Sequence, residues 1–211
     1  MADLLTTFNQ PPGGAIATYN FFDIQEGTAI TTFYPSKVAT GPSAYAYIAT
    51  TNTEVYSETD GYTDADGMNI DIDITFNLPK ILKGVMYMNI PVNVKASSGT
   101  EDVAITGTII HYDGSTETTI GAAVTTPDTS TTTSNASKMR IIKWNLTEKH
   151  FRAGETLRIT LTGVVDGTGS GQGNIGHSPV GTQNAGSGTL FESLGTSRLT
   201  LFVPFKLDIG S

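Results

Sequence analysis

The chain of 211 residues contains no cysteine, so its sequence excludes disulfide bonds, thiolate zinc sites and cysteine nucleophiles. Charged residues make up only 15% of the chain, well below the usual quarter. No apolar run approaches the roughly 18 residues that a membrane helix needs, so we expect no membrane partner. Residues 1–14 lack a basic region followed by an apolar stretch, which indicates synthesis in a cytoplasm without a secretory signal.

Basic residues are also few. The 12 Lys and Arg residues are scattered against 20 Asp and Glu residues, which gives a formal net charge of −8. Binding to bare nucleic acid depends on clustered Lys and Arg that neutralise phosphates. We therefore expect no nucleic-acid partner.

What the sequence does contain favours β-structure. It has 34 threonines, which suit strands, and 23 glycines, which suit turns. Apolar and polar residues alternate in Met68–Leu78, in Met86–Val94 and in Leu199–Ile209. Because successive strand side chains point to opposite faces, each stretch predicts a strand with one core-facing side. The sequence predicts an all-β, two-sheet antiparallel sandwich of the jelly-roll type.

The domain organisation follows from the stretches between the strands. Residues 1–14 predict either a frayed terminus or an extended N-terminal arm that lies on a neighbouring subunit. Residues 15–211 predict a single β-sandwich domain with two low-complexity loops, 125–137 and the long Gly-rich 163–189.

Shorter signals refine this prediction. Asp113-Gly114 predicts a tight β-hairpin turn. Residues 146–151 contain the only candidate helical turn. Pro91 and Pro204 interrupt good strands, which predicts an edge position or a bulge at each.

One loop concentrates carboxylates between two strands. Asp60, Asp64 and Asp66 stand among Gly61 and Gly67, and carboxylate oxygens with turning glycines are what calcium prefers. The spacing differs from that of the helix-flanked calcium loop, so a solvated turn is the alternative. Calcium is the single cofactor that the sequence suggests.

No catalytic motif is visible. His111, His150 and His177 stand in three separate contexts, and the Gly-x-Ser-x-Gly string at Ser170 lacks the strand–turn–helix setting of a nucleophile elbow. We therefore predict no catalytic residues and no enzyme, with a hydrolase as a third alternative.

Residues 21–38, 140–163 and 198–209 together resemble β-sandwich proteins found in virions of tailed, often marine, phages. The middle stretch carries a Phe-x-x-Gly-Glu-x-Leu-Arg entry to a strand at Phe151–Arg158. The resemblance implies a virion structural protein, a capsid decoration or auxiliary subunit made in the host cytoplasm. It also implies binding to the major capsid protein or other virion proteins and a homo-oligomer, with a trimer favoured.

The arm and the long loop would supply the contacts with neighbours. The interface candidates are Phe8, Pro11, Pro12, Gly169, Gly171 and Gly173. The alternative function is a carbohydrate- or receptor-binding β-sandwich, for example one associated with a tail or fibre. Its aromatic candidates are Tyr45, Tyr47, Tyr56 and Tyr62.

Overall fold

Two antiparallel sheets make up the described part of the molecule. The computed structural model describes residues 28–38, 45–51, 62–132, 135–179, 191, 194 and 196–206. Sheet one contains β1 (Thr28–Val38), β2 (Tyr45–Ala49), β3 (Tyr62–Asp64), β5 (Lys80–Ser98), β9 (Asn135–Phe151), β11 (Ser170–Gly176) and β12 (Thr200–Lys206). Sheet two contains β4 (Asn69–Thr75), β6 (Thr100–Tyr112), β7 (Glu117–Thr125), β8 (Thr129–Thr132) and β10 (Thr156–Gly167).

The pairing of the eight main strands defines the topology. β1 pairs with β12, β4 with β10, β5 with β9, and β6 with β7. Counted along the chain, the first main strand pairs with the last, the second with the last but one, and so inward. This is the pattern of a long antiparallel hairpin folded over into two sheets, the double Greek key of a jelly roll. The predicted two-sheet antiparallel sandwich is confirmed.

The core lies between the sheets and follows from the alternation in the sequence. Met86, Met88 and Ile90 of β5 face Ile105 and Ile109 of β6, and all five are completely buried. Burial of apolar side chains at about 25 cal/mol per Å² is the dominant favourable term of such a fold. Trp144 of β9 is 2% exposed and belongs to the same core.

The two strand prolines differ in their place in the sheet. On one side of β5, the pairing partner changes from β12 at Asn89 to β11 at Val92, and Pro91 lies between these two residues. Pro204 lies within the register shift between Phe202 and Phe205 of β12. Since proline has no N–H to donate, the bulge at Pro204 agrees with the prediction. The prediction for Pro91 is wrong, because Pro91 pairs with Met139 of β9 in an uninterrupted register and lies neither on an edge strand nor at a bulge.

Both predicted loops are corrected by the structure. Within 125–137, β8 forms and β9 begins at Asn135, and within 163–189, β10 continues to Gly167 and β11 spans Ser170–Gly176. The glycines of β11 serve close packing rather than looping. A Cβ at Gly173 would lie 2.6 Å from a methyl of Val103 and 2.8 Å from one of Val165.

Two smaller predictions come out differently. The hairpin turn at Asp113-Gly114 is confirmed, with a φ of +99° at Gly114 between β6 and β7. The prediction of a helical turn at 146–151 is wrong, because β9 continues to Phe151, whose ring is buried against the core.

The predicted arm over residues 1–14 lies outside the described residues. In the part of the chain that the structure describes, no helix is long and apolar enough to cross a membrane.

Candidate functional site

The carboxylates predicted to bind calcium are only partly described. Asp60 lies outside the described residues, Asp64 ends β3, and Asp66 is an exposed turn residue beside Gly67, whose φ is +62°. Among the described residues, no three His, Cys, Asp or Glu side chains come together in a way that could hold a metal. Calcium binding stays a prediction.

The predicted interface glycines fall into two environments. Gly169 and Gly171 are exposed, whereas Gly173 is buried. A Cβ at Gly171 would lie 2.3 Å from Cγ of Glu101 and 2.4 Å from the backbone oxygen of Lys95. The lack of a side chain therefore lets β11 pass over the buried Glu101. Contact of these glycines with a partner stays a prediction, and Phe8, Pro11 and Pro12 lie outside the described residues.

A serine and a histidine meet inside the sandwich. Oγ of Ser36 lies 3.3 Å from Nδ1 of His177, and both residues are buried. They border a small cavity whose other walls are apolar side chains of both sheets, among them Ile72 and Leu161. The cavity has room for about one water molecule. The pair links β1 to the segment that follows β11.

A second histidine contact closes one end of sheet two. Nε2 of His111 lies 2.7 Å from Oε2 of Glu155, and the backbone N–H of Arg152 donates to the same oxygen at 2.8 Å. Phe151 packs edge-on against the His111 ring at 4.7 Å. The amide of Arg152 and then His111 lower the pKa of Glu155. The carboxylate therefore stays ionised and fixes the turn before β10.

The outer face of sheet two carries a network of charges centred on Arg158. Its guanidinium donates from Nε and Nη2 to the two carboxylate oxygens of Asp73, at 2.8 and 2.7 Å, and from Nη1 to Glu117. It also lies 3.6 Å from Asp71 and 5.1 Å above the ring of Tyr112. The hydrogen bonds that Arg158 donates to Asp73 raise the pKa of Arg158 further above its already high ordinary value.

Three carboxylates thus surround one guanidinium. The acidic cluster, Asp71, Asp73 and Glu117, leaves a surplus of two negative charges at neutral pH, and its side chains are 40–49% exposed. The hydroxyl of Thr160 donates to Asp71 at 2.6 Å. Four residues further along β10, Val164 is 60% exposed on the same face.

The outer face of sheet one is different. β9 pairs only with β5 within the described chain, so it forms an edge of the sheet. Ile141 and Met139, 59% and 37% exposed, point outward from β9, and the exposed Lys143 follows them with its ammonium 5.9 Å from the Tyr87 ring centre. We call Met139, Ile141 and Lys143 the β9 strip. A long edge strand with exposed apolar side chains is a typical site of pairing with another chain.

Sequence reasoning missed both features. The signal for the β9 strip was present, because Ile141 is one position out of step with the inward set Ile142, Trp144 and Leu146. The Arg158 network had no local signal, since Arg158 and Asp73 stand 85 positions apart.

Neither a protein-family model nor a curated protein matches this chain. Solved structures do. Two structures of a CocE/NonD family hydrolase from Staphylococcus aureus match 82% of this chain at 11% identity, with TM-scores of 0.50 and 0.48. The chain spans only about a third, 36%, of the length of that hydrolase.

A further likeness is to a virus. A structure of infectious bursal disease virus, Gt strain, aligns with 95% of this chain and 42% of the viral chain at 13% identity. Its TM-score of 0.28 is too low to establish a shared arrangement of strands.

The hydrolase likeness corrects the prediction that the chain is not an enzyme. That prediction rested on the lack of a recognisable motif, whereas the matched structures belong to a hydrolase. At 11% identity the likeness shows the fold alone.

Proposed function

We propose that the chain is a structural protein of a virus particle, a decoration or auxiliary subunit that binds the shell and neighbouring subunits. The observation that carries this proposal is the β9 strip. Ile141 is 59% exposed on a 17-residue edge strand. Proteins that work alone in solution usually cover or blunt such an edge. An exposed apolar edge is therefore expected where a partner surface covers it.

The fold supports the same proposal. Jelly rolls are the usual architecture of viral shell domains, although lectin domains and other proteins share it. A rigid core that spans both sheets needs no disulfide, and the chain has none. A formal net charge of −8 keeps an abundant subunit soluble before assembly.

Purified particles test the proposal. Virions from the source of this sequence would be banded in a density gradient, and the chain quantified by mass spectrometry against the main shell protein in each fraction. We expect the chain to band with the particles at a constant copy ratio. A chain that stays at the top of the gradient while intact particles sediment would overturn the proposal.

A second candidate is a carbohydrate- or receptor-binding module. The side chains of Tyr45, Tyr47 and Tyr62 are not described, and Tyr56 lies outside the described residues. This candidate is favoured by a pair of aromatic side chains on the outer face of sheet one, Tyr87 and Phe202, which stand opposite each other on neighbouring strands and are half-buried. Aromatic rings on an open sheet can stack on sugars. Binding on a glycan array that Tyr87→Ala abolishes would favour this candidate.

A further inference from the structure

We propose that copies of this chain associate head to tail, with the β9 strip of one copy lying on the acidic cluster of the next. This inference rests on the proposed function, because it names the surfaces through which a virion subunit contacts its neighbour. The occupant of the β9 strip is a second copy, and the contact joins two different faces of the molecule.

Charge is the first argument. The acidic cluster keeps a surplus of two negative charges after Arg158 is counted. The β9 strip ends in Lys143, which is exposed and has no carboxylate within ion-pair distance among the described residues. Bringing a lysine to a surplus of carboxylates on another copy is favourable and directs the approach of the two surfaces.

Spacing is the second argument. Met139 and Lys143 are four residues apart on β9, and Val164 is four residues from Thr160, whose hydroxyl is bonded to Asp71. At about 3.3 Å per residue, about 13 Å separates Met139 from Lys143 on β9, and about 13 Å separates Val164 from the position of Thr160 and Asp71 on sheet two. Met139 can meet Val164 while Lys143 meets Asp71.

Symmetry is the third argument. Two copies that joined through the same face would pair two acidic clusters, or two β9 strips that each carry a lysine, and neither arrangement brings the lysine of one copy to the acidic cluster of the other. The favourable pairing uses two different surfaces. Contacts of this type close into rings or extend into chains.

The test is the mass of the chain in solution by light scattering over a concentration series at low and at high ionic strength. We expect the wild-type chain to associate, and to do so less at high salt. Lys143→Glu or Asp71→Lys alone should weaken association by about tenfold or more, and the double variant should restore it. Asp71 is the preferred acidic target because it makes the longest contact with Arg158, 3.6 Å.

Controls separate contact from folding. Leu78 is 54% exposed, about as much as Ile141, and lies outside the β9 strip and the acidic cluster. Leu78→Asp should therefore leave the mass unchanged. Circular dichroism should show that each variant keeps its strands. A wild-type chain that stays monomeric at the highest concentration, or a double variant as weak as the singles, would overturn the head-to-tail contact.

The outcome is independent of the test of the proposed function. A chain that bands with particles yet shows no charge-dependent association would keep the virion role and lose this contact. A chain that associates as described yet never bands with particles would keep the contact and lose the virion role.

Discussion

The two outer faces of the sandwich are built by the same alternation of inward and outward residues, yet they meet water differently. On sheet two the outward residues near Arg158 are mostly polar, with threonine pairs such as Thr106 and Thr125, whose hydroxyls lie 2.8 Å apart, and with an acidic cluster that keeps a surplus of negative charge. On sheet one the outward residues of β9 leave Ile141 exposed. The alternation fixes which residues reach the surface, and the identity of those residues decides what each surface can contact.

The largest effect on stability is expected from a substitution in the core between the two faces. Trp144→Ala empties a core position and should lower the free energy of unfolding by about 3–5 kcal/mol. Ile141→Ala, on the same strand but facing outward, should change it by no more than about 0.5 kcal/mol. Denaturant unfolding of both variants measures the difference. Equal effects would contradict the assignment of inward and outward residues in β9.

The next effect concerns the charges of sheet two. Arg158→Met leaves three carboxylates without their shared cation and should lower the free energy of unfolding by about 1 kcal/mol, a value kept small because the carboxylates are well exposed. Adding Asp73→Asn should recover part of the loss. Lys138→Met, an exposed cation on β9, is the matched control and should be nearly neutral. No loss in Arg158→Met would show that the network is not stabilising.

Acid should lower the free energy of unfolding by less than these substitutions do, and the effect should depend more on Glu155 than on Glu148. The pKa of Glu155 is lowered from 4.5, first by the amide of Arg152 and then by His111, and that of Glu148 by Lys206 and His150. A carboxylate with a lowered folded pKa stabilises the fold above its unfolded pKa, and this contribution is lost as the pH falls through the folded value. Stability should therefore decline below about pH 4.5.

Glu155→Gln should flatten that decline more than Glu148→Gln does, because Glu155 is 14% exposed and Glu148 is 33% exposed. Thermal melts of the two variants and the wild-type chain over this pH range provide the measurement. An unchanged pH profile in Glu155→Gln would show that the contacts with the Arg152 amide and His111 do not hold the carboxylate in its ionised form.

Much of the fold could be predicted from sequence, because period-two alternation marks β4, β5 and β12 directly. Composition was misleading for β8 and β11, because their high content of threonine and glycine predicted loops where the chain forms strands. Gly171 and Gly173 allow β11 to pack closely, and Thr129 and Thr131 of β8 are buried, so neither segment is a loop. The close partners of these residues lie far away in sequence, which no local pattern reveals.

The candidate surfaces were less predictable for the same reason. The acidic outward residues of β4 were readable, but their cation comes from β10, and Glu117 comes from β7. The exposed side of β9 was hidden in a run where Ile141 and Ile142 are neighbours with opposite orientations. Only the sheet pairing shows that β9 is an edge.

Hydrogen–deuterium exchange of the chain at low and at high concentration would locate the contact between copies. We expect slower exchange at high concentration in peptides from β9 around Ile141 and from β4 around Asp71, with no change around Ala122 in β7, which lies at the opposite edge of sheet two from β4. Exchange that is unchanged in β9 and β4, or protection confined to β7, would contradict the claim that the β9 strip is the contact surface.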